Sequence, residues 1–443
     1  MNVIFFAIVA IAFVTAGVRQ IGWSAPTGDG KSPMEILAAA IINSAESSVT
    51  LAIGLIGVMA LFLGLMKVAE AGGLLVIIAR LVRPLMQRLF PDVPPDHPAM
   101  GAMILNMSAN VLGLGNAATP FGIRAMQELD KLNQVKGTAT NAMVLFLAIN
   151  TSSVTLLPTG VIALRAAAGS NDPAGIVPTT LFATICSTTI AIIVAKLCQR
   201  LWLAKPEDAV PAEADALSTA GLDSLDVGGP EAEGEELETE GAEQSYAPWI
   251  SYAVLAAILA LIPLTVLYGR QIAPWIIPGL LLALLGFGFS RRVRVYESFV
   301  EGAKDGFTVA LRIIPYLVAI LVAVGMFRAS GAMEMLIGPL AVVTEPLGMP
   351  AEALPMALLR PLSGSGAYGI LASLINDAAI GPDSYTGYLI STLQGSTETT
   401  FYVLAVYFGA VQVRRIRHAL VAGLSADVAG VIGAVIAVSL FLA

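Results

Sequence analysis

The sequence consists mainly of long apolar runs, such as Thr179–Lys196 and Val428–Ala443. Apolar runs of about 17–25 residues have the length of a helix that crosses the ~30 Å hydrocarbon core of a bilayer. Because backbone polar groups in lipid must be satisfied within the protein, a membrane span is a helix or part of a closed barrel. These runs are too long and too uniformly apolar for barrel strands. The sequence therefore predicts an all-α polytopic membrane protein.

Composition excludes a soluble globular domain. Of the 443 residues, 56% are apolar and only 13% are charged. A soluble domain needs roughly a quarter of its residues charged to cover its surface.

Most of the negative charge lies in one stretch. The segment from Lys205 to Tyr246 carries thirteen acidic residues and one lysine, and the rest of the chain has 23 basic and 19 acidic residues. Because this segment has few large apolar residues, it cannot bury a core. We expect residues 204–246 to form a disordered linker, either as a solvated tether or as a docking site for a partner.

The linker divides the chain into residues 1–203 and 247–443, and the two halves repeat each other. Asn43–Gly73 aligns with Glu301–Gly331 at a constant offset. Asn150–Thr155 aligns with Gly395–Thr400 further along. Similar blocks in the same order and at nearly constant spacing indicate an internal repeat.

Loop charges predict that the two repeats have opposite orientations. Three arginines lie in Leu74–Phe90, whereas the matching segment Ala332–Pro346 has no basic residue. Later in the repeat the bias reverses, because Ala166–Pro173 is uncharged apart from one Asp and its counterpart reaches Arg414–Arg417. Lys and Arg are retained on the cytoplasmic side of a membrane. Inverted repeats are typical of secondary transporters that bind their solute at the midplane; a parallel duplication with chance loop charges is the alternative.

The same rule predicts the location of the linker. Lys196, Arg200 and Lys205 precede it, so we expect it on the cytoplasmic side of a bacterial inner membrane. The apolar segment Pro248–Arg291 then predicts a hairpin that crosses the membrane and returns to the same side.

Polar residues and helix breakers interrupt the apolar spans at matched positions in the two halves. Asn106–Pro120 corresponds to Arg360–Gly369, and Asn150–Thr155 corresponds to Gln394–Thr400. Broken or re-entrant helices at such places expose amides and carbonyls to a polar ligand. We expect them to meet at a central polar site. The candidate solute-binding residues are Asn106, Ser108, Asn110, Asn116, Thr119, Asn150, Thr151, Ser152, Ser363, Ser365, Tyr368, Gln394, Ser396, Thr397, Glu398 and Thr399.

Glu398 is the strongest candidate among these residues. A carboxylate within a span costs several kcal/mol unless it is paired, hydrated or protonated. Glu398 is therefore predicted to carry a coupling ion or to contact the solute. The structural alternative is an ion pair with Arg360 or Arg328. No pattern of a catalytic residue, a metal ligand set or a cofactor site is present, and we expect neither an enzyme nor a nucleic-acid-binding protein.

Several motifs resemble a known family. Asn106–Pro120, followed by Phe121–Met126, resembles spore maturation protein A. Arg360–Gly366, Gly381–Ser384 and Gly395–Tyr402 resemble spore maturation protein B. The resemblance implies a fusion of the two within the nucleoside-recognition, or Gate, group of membrane domains. That group includes the gate repeats of ferrous-iron transport protein B and is similar to domains of concentrative nucleoside transporters.

The sequence thus predicts a secondary-transporter-like protein that binds or moves a small polar solute between two Gate repeats. The alternative is a membrane scaffold for envelope or spore maturation that transports nothing. The expected partners are the solute and the lipid bilayer. The sequence is compatible with both a monomer and a homo-oligomer.

Overall fold

The computed structural model describes residues 2–24, 30–113, 115–202 and 246–442. The predicted linker at 204–246 lies outside these residues, apart from Tyr246. The described part of the chain is helical, which confirms the all-α fold. The first half contains α1 (Asn2–Ile21), α2 (Pro33–Ala71), α3 (Leu74–Leu89), α4 (Pro98–Val111), α5 (Gly115–Lys131), α6 (Asn141–Thr151), α7 (Thr159–Ala167) and α8 (Ile176–Cys198).

The second half follows the same order of long and broken helices. It contains α9 (Pro248–Ser290), α10 (Val295–Ala329), α11 (Ala332–Thr344), two short 3₁₀ turns (Glu345–Leu347 and Ala351–Ala353), α12 (Leu354–Leu359), α13 (Gly364–Ile375), α14 (Tyr385–Ser396), α15 (Thr400–Gly409) and α16 (Ala419–Leu442).

Three of the described helices, α2, α8 and α16, are long and apolar enough to cross a membrane. Large apolar side chains on them face outward; Ile53 is 61% exposed and Val428 is 59% exposed. Such side chains are stable on an outer surface when that surface contacts lipid. The protein is therefore a polytopic membrane protein, as predicted.

Local signals fix equivalent helix ends in the two halves. Gly73 precedes α3 with φ 80°, and Gly331 precedes α11 with φ 79°. This left-handed backbone favours glycine because other residues clash there. The Thr140 hydroxyl accepts a hydrogen bond from a backbone N–H at the start of α6, and the Ser384 hydroxyl does the same for α14.

Equivalent helices of the two halves pack against each other in antiparallel directions. In the α2–α10 pair, Gly306 faces Ala60 and Gly325 faces Ser44. Residue numbers therefore rise along one helix in the direction in which they fall along the other. The α8–α16 pair has the same arrangement. Ala183 faces Gly433, and the Ser187 hydroxyl donates to the Ala426 carbonyl at 2.8 Å. The repeats are thus inverted relative to each other.

The two halves share their buried core. One apolar cluster includes Met103 and Phe146 from the first half with Tyr407 and Phe408 from the second. A second cluster joins α7 and α8 to α13 and α14. Each half therefore buries its apolar faces against the other.

The predicted hairpin at Pro248–Arg291 is wrong. This segment forms one continuous helix, α9, of 43 residues. At 1.5 Å per residue it is about 65 Å long, roughly twice the hydrocarbon thickness. The break signals near its centre are Pro263, Gly269 and Pro274, and the helix continues through all three. The segment therefore does not return the chain to the side of the membrane on which it starts.

The close approach of α2 and α10 gives a test of the fold. A Cβ added at Gly306 would lie 2.6 Å from the Ala60 Cα, and backbone cannot move aside as a side chain can. We expect Gly306→Ala to lower stability by about 1–3 kcal/mol, the usual cost of overpacking. Thermal unfolding in detergent measures the effect.

Gly57→Ala on α2 is the matched control, since nothing lies within 4 Å of a Cβ there. This variant should unfold at the wild-type temperature or slightly above it, because Ala favours a helix. Equal unfolding temperatures for the two variants would contradict the close helix packing.

Candidate functional site

Two broken helices meet where the halves join. Helix α6 ends at Thr151 and the chain resumes a helix only at α7. Helix α14 ends at Ser396, and α15 begins after the three unwound residues Thr397–Thr399. The backbone N–H of Glu398 donates to the Thr151 carbonyl at 2.8 Å. The last carbonyls of a helix have no partner within the helix. The Thr151 carbonyl at the end of α6 is therefore satisfied by a backbone N–H from the unwound segment of the other half.

Arg360, at the end of α12, holds the second break together. Its Nε donates to the Gln394 carbonyl and its Nη1 to the Thr399 hydroxyl, both at 3.1 Å. Its Nη2 donates to the Thr397 carbonyl and lies 3.7 Å from the Glu398 carboxylate. The Arg360 side chain is 8% exposed and the Glu398 side chain is 49% exposed. The ion pair considered as the structural alternative is therefore present, while the Glu398 carboxylate keeps an open side.

Amide side chains and a tyrosine form a chain of hydrogen bonds across the halves. Asn106 donates to the Tyr407 hydroxyl at 3.3 Å, and Tyr407 donates to the Asn150 side-chain oxygen at 3.4 Å. Asn110 donates to the same Asn150 oxygen at 3.0 Å. The side-chain oxygen of Asn106 is buried and has no partner among the described residues. These bonds connect α4 and α6 of the first half to α15 of the second.

The amide cluster and the Arg360 cluster are neighbours. Asn150 precedes Thr151, whose carbonyl binds the Glu398 amide. The Glu398 carboxylate also interacts electrostatically with the hydroxyls of Tyr402 and Tyr407. One polar region therefore contains side chains from both predicted pairs of broken segments.

A buried carboxylate on α16 belongs to the same region. Asp427 is 5% exposed, and its Oδ2 accepts a hydrogen bond from the Thr400 hydroxyl at 2.7 Å. Its Oδ1 has no hydrogen-bond partner within the described ranges. On the same face of α16, Gly423 lies against Thr400 and Gly430 lies against Thr397. The sequence analysis missed Asp427, although a single carboxylate within an apolar helix was the signal that could have found it.

Several predicted hydroxyls bond to their own helices. Ser108 donates to Ile104, both Thr151 and Ser152 donate to Ala148, and Ser396 donates to Leu393. These bonds satisfy the hydroxyls locally. The four residues belong to the broken segments, and their hydroxyls are satisfied by the backbone of their own helices.

The remaining predicted residues are dispersed around α5 and α13. Ser363 caps α13 by accepting from the Gly366 N–H at 3.0 Å, and Ser365 is exposed. Tyr368 donates to the Gly160 carbonyl at 2.7 Å. Thr119 is partly buried on α5. The Asn116 side chain lies outside the described set.

A buried arginine fastens the start of α14 to the other half. Arg165 at the end of α7 is 0% exposed and lies 3.1 Å from Asp383, which precedes α14. Ser170 and Asn171 also donate to the Asp383 carboxylate. Burial opposes the shift, but these hydrogen bonds and the charge of Arg165 hold the pKa of Asp383 below its ordinary value. Burial raises the pKa of the neighbouring Asp172.

The start of α6 has a matching arginine at the opposite end of the molecule. Arg417 donates to the Ala139 carbonyl at 3.0 Å and to the Asn141 side chain at 2.9 Å. Helix α8 runs from the Arg165 end to Cys198, and Trp202, just beyond it, accepts a hydrogen bond from Arg417 at its carbonyl. A cleft of about 340 Å³ opens beside Arg417 and is lined mainly by the loop before α6.

Comparison with known proteins identifies the family of the chain. The Gate family, described as nucleoside recognition, matches residues 52–168 and 310–414. The chain belongs to the Gate family. The two matched ranges contain the broken segments of both halves, including Asn106, Asn150 and Glu398.

Two relatives come from Bacillus subtilis (strain 168). Spore maturation protein A is 50% identical over 155 residues, which are 35% of this chain and 79% of the relative. Spore maturation protein B is 48% identical over 164 residues, which are 37% of this chain and 91% of the relative. These matches confirm the resemblance noted in the sequence.

A solved structure of a double variant of CNTnw in an outward-facing state also aligns with the chain. It has 13% sequence identity and a TM-score of 0.39, and the alignment covers 100% of this chain and 99% of that one.

The polar region of this Gate protein lacks the ligands of a typical metal centre. Across the residues that the structure describes, no three His, Cys, Asp or Glu side chains are grouped to hold a metal ion. The chemistry available in the region is hydrogen bonding by amides and hydroxyls, and proton binding by two carboxylates.

Two arginine–aspartate pairs of different burial provide a stability test. Removing the charge of Asp383 leaves the buried Arg165 with Asp172 as its remaining counter-charge, and we expect Asp383→Asn to cost up to about 3 kcal/mol. Asp377 pairs with Arg328 at 2.6 Å, but both side chains are more accessible than Arg165. Asp377→Asn should cost about 0–1 kcal/mol. Denaturation of both variants in detergent measures the difference.

The pH dependence of the same variants is a second measurement. Because the folded-state pKa of Asp383 is lowered, its contribution is present above its ordinary pKa and is lost as the pH falls through the folded value. The Asp383→Asn variant should lack this part of the acid destabilisation. If the two variants prove equally stable, the Arg165 pair does not hold the start of α14.

Proposed function

We propose that the protein binds and moves a small polar solute at the place where its two inverted repeats meet. The observation that carries the proposal is the bond between the Glu398 amide and the Thr151 carbonyl. It joins two broken helices that begin at opposite ends of the molecule. Broken helices facing each other across inverted repeats are the common way in which secondary transporters build a midplane site.

Within this site, Arg360 and Glu398 have different roles. Arg360 is occupied by the Gln394 and Thr397 carbonyls and by the Thr399 hydroxyl, so it orders the break. Glu398 is half-exposed and remains able to accept hydrogen bonds on its open side. We assign Glu398 to solute contact, together with Asn110 and the other polar residues of the two broken segments.

The accessible groups favour a solute that donates hydrogen bonds. A carboxylate and side-chain amides accept from hydroxyls and amines, whereas the only guanidinium in this cluster is already committed to protein oxygens. The description of the Gate family makes nucleosides the first class to test, and small amino acids and cations follow.

The proposed orientation puts the linker in the cytoplasm of a bacterium, with the protein in the inner membrane. It is supported by the basic residues at one end of the molecule, where Arg417 contacts Trp202 and Lys196 donates to the Leu89 carbonyl. The opposite end carries Asp172 and Asp383 around the single buried Arg165. Retention of basic residues on the inner side would orient the molecule in this way.

Protease accessibility tests this orientation. A protease site inserted within residues 207–243 should be cut in inside-out vesicles and protected in intact spheroplasts. The same site inserted beside Asn171, which lies at the opposite end, should show the reverse pattern. Cleavage of the linker site in spheroplasts would refute the cytoplasmic location.

Solute binding is tested by thermal unfolding of the purified protein against nucleosides, small dicarboxylates, amino acids, divalent metals and sodium. A ligand at about 100 times its Kd should add ~2.7 kcal/mol if it binds only the folded state. We expect one class to raise the unfolding temperature of the wild type and to have no effect on Glu398→Gln.

Glu352→Gln is the matched control, because Glu352 is exposed and lies in the 3₁₀ turn Ala351–Ala353, outside the broken segments of both halves. It should retain the full solute response.

The competing function, a non-transporting scaffold, is supported if no solute stabilises the protein and deletion of residues 207–243 abolishes activity in cells while Glu398→Gln does not.

A further inference from the structure

We propose that Asp427 is a proton-binding site of this protein and carries a proton at neutral pH in the structure described. The inference deepens the proposed function, because it separates the proton-carrying group from the solute-contacting Glu398. It stands on the burial of Asp427, the partners of its two oxygens and the balance of charge around it.

The surroundings of Asp427 do not suit a bare carboxylate. The side chain is 5% exposed and belongs to α16, one of the membrane-spanning helices. One oxygen accepts a hydrogen bond from Thr400, whereas the other makes no bond of normal geometry among the described residues, although the Thr397 hydroxyl lies near the carboxyl group. A carboxylate in such a place costs several kcal/mol, and a carboxylic acid costs much less.

The charges that face Asp427 do not balance without a proton. Arg360 is the cation that interacts with Asp427, and it also interacts with Glu398. Its donors bind Gln394, Thr397 and Thr399 oxygens, and it forms an ion pair with Glu398 at 3.7 Å. One positive charge is thus shared by two carboxylates.

The other elements packed against this part of α16 bring hydroxyls. The near groups are Thr151 from α6, Ser187 from α8, and Ser396 and Thr397 from the end of α14. Among the described residues at this level of these helices, Arg360 and Glu398 are the charged side chains. Of the two carboxyl groups, Glu398 is half-exposed and Asp427 is buried, so burial favours the neutral acid at Asp427.

Sharing of Arg360 links the proton to the solute. When Asp427 loses its proton, the O–H bond of the acid breaks, the proton passes to water, and the carboxylate left behind attracts Arg360. Arg360 can neutralise only one carboxylate at short range. Movement of Arg360 toward Asp427 weakens its pair with Glu398 and leaves the Glu398 carboxylate for a donor group of the solute. Release of the proton and binding of the solute therefore favour each other.

Infrared spectroscopy of the full-length protein in detergent tests the site without any solute. The carbonyl stretch of a protonated carboxylic acid is separate from the bands of carboxylates. At neutral pH we expect this band in the wild type and its loss, equivalent to one carboxyl group per chain, in Asp427→Asn. In Glu398→Gln, where Arg360 no longer pairs with a second carboxylate, the Asp427 band should still form but only at a lower pH than in the wild type. Thr400→Val retains the acid but removes its hydrogen bond, so the band should persist at a shifted frequency.

The outcomes separate this inference from the proposed function. A band that persists unchanged in Asp427→Asn overturns the inference. If that persistent band is absent from Glu398→Gln at every pH, the proton belongs to Glu398 instead. Since Asn is close to Asp in shape, we expect Asp427→Asn to fold; if it does not, the frequency shift in Thr400→Val decides. An Asp427 band together with no solute-induced stabilisation would retain the proton site and reject solute binding.

Discussion

The arrangement of the site depends on the interaction of Arg360 with an unwound stretch of backbone. Non-helical backbone at membrane depth is stable only where other groups satisfy its carbonyls. Arg360 does so for Gln394 and Thr397, and the Thr151–Glu398 hydrogen bond joins this stretch to the other repeat. The planar guanidinium with five donors in fixed directions suits this role, which a flexible ammonium would fill less well.

Sequence patterns located the breaks because the causes of a break are local. Glycines, hydroxyls and caps within a few residues determine where α6 and α14 begin and end, and Thr140 and Ser384 bind the first N–H groups of their own helices. The choice between Arg360 and Arg328 as the partner of Glu398 was not local, because it depends on how α12 packs beside α14. Geometry resolves it: Arg360 lies beside Glu398, and Arg328 binds Asp377.

The residues missed by sequence reasoning depend on contacts between distant segments. Tyr407 is an ordinary apolar-helix residue until the fold brings it to Asn106 and Asn150, which lie in the other half. Arg165 precedes the weakly charged segment Ala166–Pro173 and has no counter-charge nearby in sequence apart from Asp172, whereas its ion-pair partner Asp383 is supplied 218 residues later. The error at α9 has the opposite cause, since an apolar segment of this length fits a hairpin or one long helix equally well by composition.

Inverted repeats place equivalent residues on opposite sides of a shared centre. Where the two repeats have different residues at equivalent positions, the two sides of the site differ chemically. Counted from the first residue of each helix, Asp427 of α16 corresponds to Thr184 of α8. Thr184 is buried and satisfies its hydroxyl on the Leu181 carbonyl of its own helix at 2.9 Å. A hydroxyl can be satisfied in this way without cost to its neighbours, whereas a carboxylate must take a proton or compete for Arg360. The asymmetry between these two positions makes the charge balance of the centre dependent on one repeat only.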